Sequence, residues 1–243
     1  DWFPGTLVAG PDGMLWGSYQ GALEGLIFKV EPTGQVVEYG PFEVFPYRPN
    51  AMTVTSQGEV WFVSHDSEAA IWRLANGVPE RFAGADPPIG ESLSVITAAS
   101  DGSIWAANDD GALVSYENGR WTVFESPSWL RDDGFVQAIS VTDDGTVWIG
   151  RSQSNAGGLI KYNGDWDLIE GPDGNELRDI VDLAASPNGG VLALVDTDYA
   201  TDTPGRLFQI DEDGMATPIS SLTFDAPTSL TVQPNGTWTV LDQ

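Results

Sequence analysis

The sequence predicts an all-β protein, a β-propeller of four-stranded antiparallel blades, from three observations. First, a turn ending in glycine is followed three residues later by a large apolar residue. The pairs are Gly13 and Trp16, Gly58 and Trp61, Gly102 and Trp105, Gly145 and Trp148, and Gly189 and Leu192, with a drifted sixth copy in Gly236-Thr237-Trp238. Second, the large residues recur 45, 44, 43 and 44 positions apart, and a fixed period in the forties marks stacked four-strand units. Third, helix-period segments are absent, and Asp-Gly and Asn-Gly pairs punctuate short apolar runs, supplying the positive φ that tight hairpins need.

Each repeat divides at its turns into strands A to D. In the third copy the strands are Ser94 to Ala99, Ser103 to Ala107, Ala112 to Tyr116 and Arg120 to Phe124. The fourth repeats this plan through Asp144-Gly145, Val147-Trp148-Ile149, Leu159 to Tyr162, Asn163-Gly164 and Trp166 to Ile169. Strand B is continuously apolar, as in Val60-Trp61-Phe62-Val63, which suits an inner strand covered on both faces. Strand D alternates, as in Arg120-Trp121-Thr122-Val123-Phe124, which suits a rim strand with one wet face.

These cuts give one domain over 1–243, with blades at about 6–40, 50–84, 93–126, 135–171 and 179–220 and a partial sixth at 228–243. The sixth copy holds only strands A and B, Ser229 to Gln233 and Thr237 to Leu241, whereas six full blades would need roughly 264 residues. The expectation is a six-bladed propeller with an incomplete sixth blade. Its closing strands lie outside this chain, or the ring closes unusually, or the exposed edge recruits a partner strand.

Composition narrows the function classes. With 36 acidic and 10 basic residues the formal charge is −26, which repels phosphate backbones and anionic headgroups, so nucleic acid is excluded as a partner. Lysine occurs only at Lys29 and Lys161. The acidity suits either solvation in saline surroundings or cation binding. No run of 18 apolar residues predicts membrane insertion, and the lack of cysteine excludes disulfides and thiolate metal sites.

The segment from Val136 to Trp166 contains Thr142-Asp143-Asp144-Gly145-Thr146-Val147-Trp148-Ile149-Gly150 and then Gly157-Gly158-Leu159-Ile160-Lys161-Tyr162. It resembles the two-component regulator propeller repeat, which places an Asp-Gly turn before a Leu-Trp-Ile-Gly-like strand and a Gly-Gly-Leu strand after it. The resemblance implies an extracytoplasmic sensing or interaction module, secreted, periplasmic or at the cell surface, and brings no catalytic residues. Gly58-Glu59-Val60-Trp61-Phe62 is similar to the Gly-x-x-Trp-Phe strand of the virginiamycin B lyase group. Enzymes of that group use histidines and a metal ion. Here the only histidine is His65, in Ser64-His65-Asp66, so this second resemblance carries the fold alone.

Long D-to-A loops on a rigid scaffold are where binding residues concentrate. Arg48, Arg131 and Arg178 fall in those loops, Arg151 in a B-to-C loop on the same face, and Tyr47, Asn50 and Trp129 beside them. Arginines grouped this way recognise a carboxylate or sulfate, and the flanking aromatics suit a sugar or peptide; charge neutralisation and loop packing are the plainer readings. Asp196, Asp198 and Asp202 are spaced to wrap calcium but lack the glycine and glutamate of a helix-loop-helix calcium loop. No other cofactor is expected. The functional expectation is a non-enzymatic ligand-binding, sensor or protein-interaction propeller using its D-to-A loop face, with a glycan, peptide or protein as partner. The alternative is a carbohydrate-active hydrolase or lyase using carboxylates on that face.

Overall fold

The computed structural model describes residues 3–20, 25–42, 49–64, 70–83, 93–109, 112–130, 134–152, 158–172, 177–196, 203–219, 222–233 and 235–242. Strands run up and down within six successive antiparallel sheets, five of four strands and one of two. The first holds β1 (Phe3–Ala9), β2 (Leu15–Gln20), β3 (Gly25–Val30) and β4 (Val36–Phe42). The second holds β5 (Pro49–Val54), β6 (Val60–Ser64), β7 (Ala70–Ala75) and β8 (Val78–Ala83). The third holds β9 (Val95–Ala98), β10 (Ile104–Ala107), β11 (Leu113–Glu117) and β12 (Arg120–Phe124). The fourth holds β13 (Phe135–Val141), β14 (Val147–Ser152), β15 (Leu159–Tyr162) and β16 (Trp166–Leu168). The fifth holds β17 (Ile180–Ala185), β18 (Val191–Val195), β19 (Arg206–Ile210) and β20 (Ala216–Pro218). The last sheet pairs only β21 (Pro227–Val232) with β22 (Trp238–Asp242). One 3-10 turn, Ser128–Leu130, is the sole helical element among the described residues.

The chain forms two compact units. Sheets one to three make the first, over 1–108 and 112–125, and the remaining sheets the second, over 109–111 and 126–243. Within each, the B strand is buried on both faces, as its unbroken apolar run requires. In the first unit Val60 and Phe62 of β6 join Trp16, Ile27 and Met52, while Trp61 and Val63 join Ile96, Ile104 and Val114. In the second unit Trp148 packs with Leu159 of its own sheet and with Leu183, Val191 and Phe208 of the next. Leu192 occupies the corresponding position one sheet on and packs with Leu230 of the two-stranded sheet.

Three of these inner-strand tryptophans carry a cation on the neighbouring C strand. Register places Lys29 opposite Trp16, Arg73 opposite Trp61 and Lys161 opposite Trp148. The charged groups lie 5.8, 5.4 and 5.7 Å from the ring centroids, within cation–π range. Lys161 Nζ also donates to the main-chain carbonyl of Glu212, tying the fourth sheet to the fifth.

The turns explain why glycine and a short polar residue recur together. Gly13, Gly58, Gly102, Gly145, Gly189 and Gly236 all have φ between 76 and 89°, a left-handed backbone that a side chain resists. Just before them, Asp12, Asp101, Asp144 and Asn235 accept the backbone N–H two residues on. The hydroxyls of Ser103 and of Thr142 hold the Asp101 and Asp144 carboxyls, respectively, below the ordinary aspartate value.

Asp182 on β17 fixes the two-stranded sheet. Its Oδ2 accepts the Leu230 N–H at 2.8 Å and the Ser229 hydroxyl at 3.3 Å, while Oδ1 accepts the Leu183 N–H at 2.8 Å. Burial pushes this carboxyl above its ordinary value, against the pull of those donors. A folded-state value raised above the unfolded one contributes stability at acid pH that is lost as pH rises through the folded value. Asp182→Asn carries no such ionisation. Whatever constant hydrogen-bond loss it brings, its stability relative to the parent is expected to improve from pH 4 to pH 7. Urea unfolding at both pH values measures this, and an unchanged difference would remove Asp182 as a titrating latch.

Candidate functional site

At the end of the second unit where A strands begin, three segments are locked together. The loop ahead of β13 contains the Ser128–Leu130 turn. Leu130 is buried as its anchor, while Trp129 and Phe135 stand 39% and 50% exposed on either side of it. Large aromatics left this open beside an anchored turn supply contact area at small ordering cost, as binding residues do. The Asp109 carboxylate accepts the Val136 N–H at 2.7 Å and so sets where β13 starts.

Arg151, on β14, lies opposite Val136 and is 2% exposed. Its Nη2 donates to the Gly134 carbonyl at 3.4 Å. The sequence reading placed this guanidinium on a ligand-facing surface; the structure turns it inward onto the loop backbone, where it braces the chain that presents Phe135. The Arg151 N–H donates to the Gly158 carbonyl, and the Gly158 N–H to the Leu177 carbonyl, each at 2.6 Å. A Cβ at Gly158 would lie 2.3 Å from the Leu177 carbonyl oxygen and 2.9 Å from the Arg178 Cα, so only glycine lets these backbones meet. Arg178 is exposed beyond this contact. Asp179 follows it with φ of 52°, a left-handed conformation tolerable for aspartate, and its main-chain carbonyl accepts the Asp196 N–H.

The structure thus ties Arg151 to the Arg178 segment through the Gly158 backbone, while Trp129 stands in the turn ahead of β13. Asn50 lies in β5 of the first unit. Tyr47, Arg48, Arg131, His65, Asp198 and Asp202 lie outside the described residues. Asp196, the described member of the calcium candidates, is half-buried at the end of β18, and no group of three or more acidic or histidine side chains is placed to hold a metal ion among the described residues. Sequence reasoning missed Phe135 and Asp109. Phe135 closes the D-to-A loop from Ser126 to Phe135 in that reading but is not singled out, and only its exposure separates it from core.

No protein-family model matches this chain, and no curated protein matches it. Solved structures do. YCF48 bound to D1 peptide superposes with a TM-score of 0.61 at 13% identity, over 97% of this chain and 76% of that one. The extracellular domain of the putative one-component system BT4673 from B. thetaiotaomicron gives 0.65 at 15%, over 98% of this chain and 30% of that one. The GH74 enzyme of Niastella koreensis gives 0.68 at 12%, over 96% of this chain and 39% of that one. The chain spans well under half the length of the latter two proteins. With the sheet topology, these likenesses make the chain a β-propeller.

The loop geometry separates a presented side chain from an anchoring one. Trp129→Ala is expected to change stability by no more than about 0.5 kcal/mol, and Leu130→Ala to cost about 2 to 4 kcal/mol. Urea denaturation of both variants tests this, and equal losses would place Trp129 in the core.

Proposed function

We propose that this protein is a non-enzymatic ligand-binding propeller, working outside the cytoplasm as a sensor or interaction module, whose D-to-A loops meet a peptide or protein. The observation that carries the reading is the exposure of Trp129 beside the buried Leu130 and of Phe135 at the start of the strand that Asp109 and Arg151 hold in place. Rigid aromatic surface with adjacent arginine is the composition of interface hot spots. Arg178 supplies that charge among the described residues, and Arg131 belongs to the Trp129 loop. Two structural neighbours, one peptide-bound and one an extracellular domain, support the same reading. Among the described residues no helix is long and apolar enough to cross a membrane.

The carbohydrate-active alternative draws support from the GH74 neighbour. The two readings separate in one experiment. Thermal unfolding is followed against a panel of acidic and neutral peptides and oligosaccharides, with hits assayed for turnover. A ligand at a hundred times its dissociation constant adds about 2.7 kcal/mol, or roughly 5 to 10 °C for a chain of this size. A shift from an acidic peptide is expected, without turnover, and Trp129→Ala and Phe135→Ala each reduce it. Cleavage of an oligosaccharide would replace this reading with the enzymatic one, and a shift that survives both substitutions would move the site elsewhere.

A further inference from the structure

The other end of the same strands in the second unit, where A strands turn into B strands, carries a cleft of about 560 Å³. That is the size of a small-ligand or side-chain site. Its walls are the turn at Thr142, Asp143 and Asp144, the turn from Ala185 to Gly190, Glu212 between β19 and β20, and Val232 with Gln233 at the end of β21.

The first unit shows why this space is open. There Gln57, immediately before the positive-φ Gly58, reaches the next sheet's turn, so that a Cβ on Gly102 would meet its amide at 3.4 Å. Asp144 holds the matching place before Gly145 but is one methylene shorter, and it folds back onto its own turn. Its Oδ1 accepts the Thr142 hydroxyl at 2.6 Å and its Oδ2 the Thr146 hydroxyl at 2.9 Å. Among the described residues the Asp144 side chain does not reach Gly189, the counterpart of Gly102. From the far side the Glu212 carboxylate leans onto that glycine, with Oε1 2.5 Å from where a Cβ would stand.

The charge of the cleft is one-sided. Asp143, Asp144 and Glu212 line it, and no lysine or arginine does among the described residues. Lys161 comes near Glu212 but spends its ammonium on the main-chain carbonyl. An anion has no partner in such a cleft, and a neutral ligand would leave its carboxylates uncompensated.

We propose that this cleft receives the guanidinium or ammonium group of a basic segment on a partner protein. A side chain of that kind fits the volume, and Asp143 from the fourth sheet and Glu212 from the fifth both line the space it would enter. The acidic surface as a whole steers such a segment inward. The site shares no residue with the Trp129 loop and stands independently of the function proposed for it.

The test uses a five-residue peptide alternating arginine and glycine, and its citrulline counterpart, which keeps the shape and removes the charge. Calorimetric titration of the full chain at low salt is expected to show binding of the arginine peptide alone. Asp143→Asn and Glu212→Gln each weaken it about fivefold. Asp167→Asn removes the same charge from exposed β16 and stays within about twofold of the parent, as does Trp129→Ala. Equal weakening by all three acidic substitutions would reduce the effect to diffuse attraction and overturn the site. Loss of binding in Trp129→Ala, or no binding of the arginine peptide at all, would overturn it as well.

Discussion

The packing of this protein depends on one constraint, that its inner strands are covered on both faces by neighbouring sheets. A strand so placed has no wet side, and its residues alternate between two cores rather than between core and solvent. In β6, Val60 and Phe62 serve the core shared with the first sheet, and Trp61 and Val63 the core shared with the third. The tryptophan is the largest payload on that strand, and it brings a polar N–H into the interior. The indole nitrogens of Trp61 and Trp148 are buried with no hydrogen-bond partner among the described residues. Such a group costs about 1 to 3 kcal/mol, a penalty that the buried ring area and the cation over the ring offset.

That arrangement accounts for where the few cations go. Both lysines and Arg73 lie over inner-strand indoles, fixed there by register, so three of the basic side chains belong to the framework. Where the register partner is not a cation, the packing changes. Ser115 stands opposite Trp105, and that indole donates to the Ser103 hydroxyl and stacks on Phe124 instead. In the fifth sheet the pair becomes Leu192 and Gln209, and the Gln209 amide bonds the carbonyls of Gly189, Val191 and Ile210.

Strands were readable in the sequence because their signals are local. A glycine forced to positive φ and an aspartate two residues before an N–H mark a turn wherever they occur, and the strand boundaries expected for the third repeat agree with β9 to β12 within one residue. The two-stranded last sheet was legible for the same reason. Loop side chains were not, because their roles come from contacts distant in sequence. Arg151 looks like a loop arginine until register sets it against Val136 and the 134 carbonyl closes over it. The cleft was invisible because Gln57 and Asp144 occupy the same turn position, and the direction in which each side chain reaches is set by its contacts rather than by the turn pattern.

The acidity that the sequence suggests as solvation or cation binding has a third cause in the backbone. Propellers change direction every few residues, and each reversal leaves N–H groups that no strand partner takes. A carboxylate accepts two or three such groups at once and needs no proton placed correctly to do so. Asp12, Asp101, Asp144 and Asp211 each accept one backbone N–H within a turn. Asp109 and Asp182 accept N–H groups across segments, as does Asp242, which caps those of Asp225 and Ala226 ahead of β21. In the exposed turns water screens the charge and the acceptor role dominates, so Asp101 and Asp144 ionise more readily than usual. In the half-buried position of Asp182 the same bonds are outweighed by desolvation, and the shift reverses. A single chemical choice, aspartate as backbone acceptor, therefore contributes to the net charge and supplies, at Asp182, a carboxyl whose ionisation works against the packing of the last sheet.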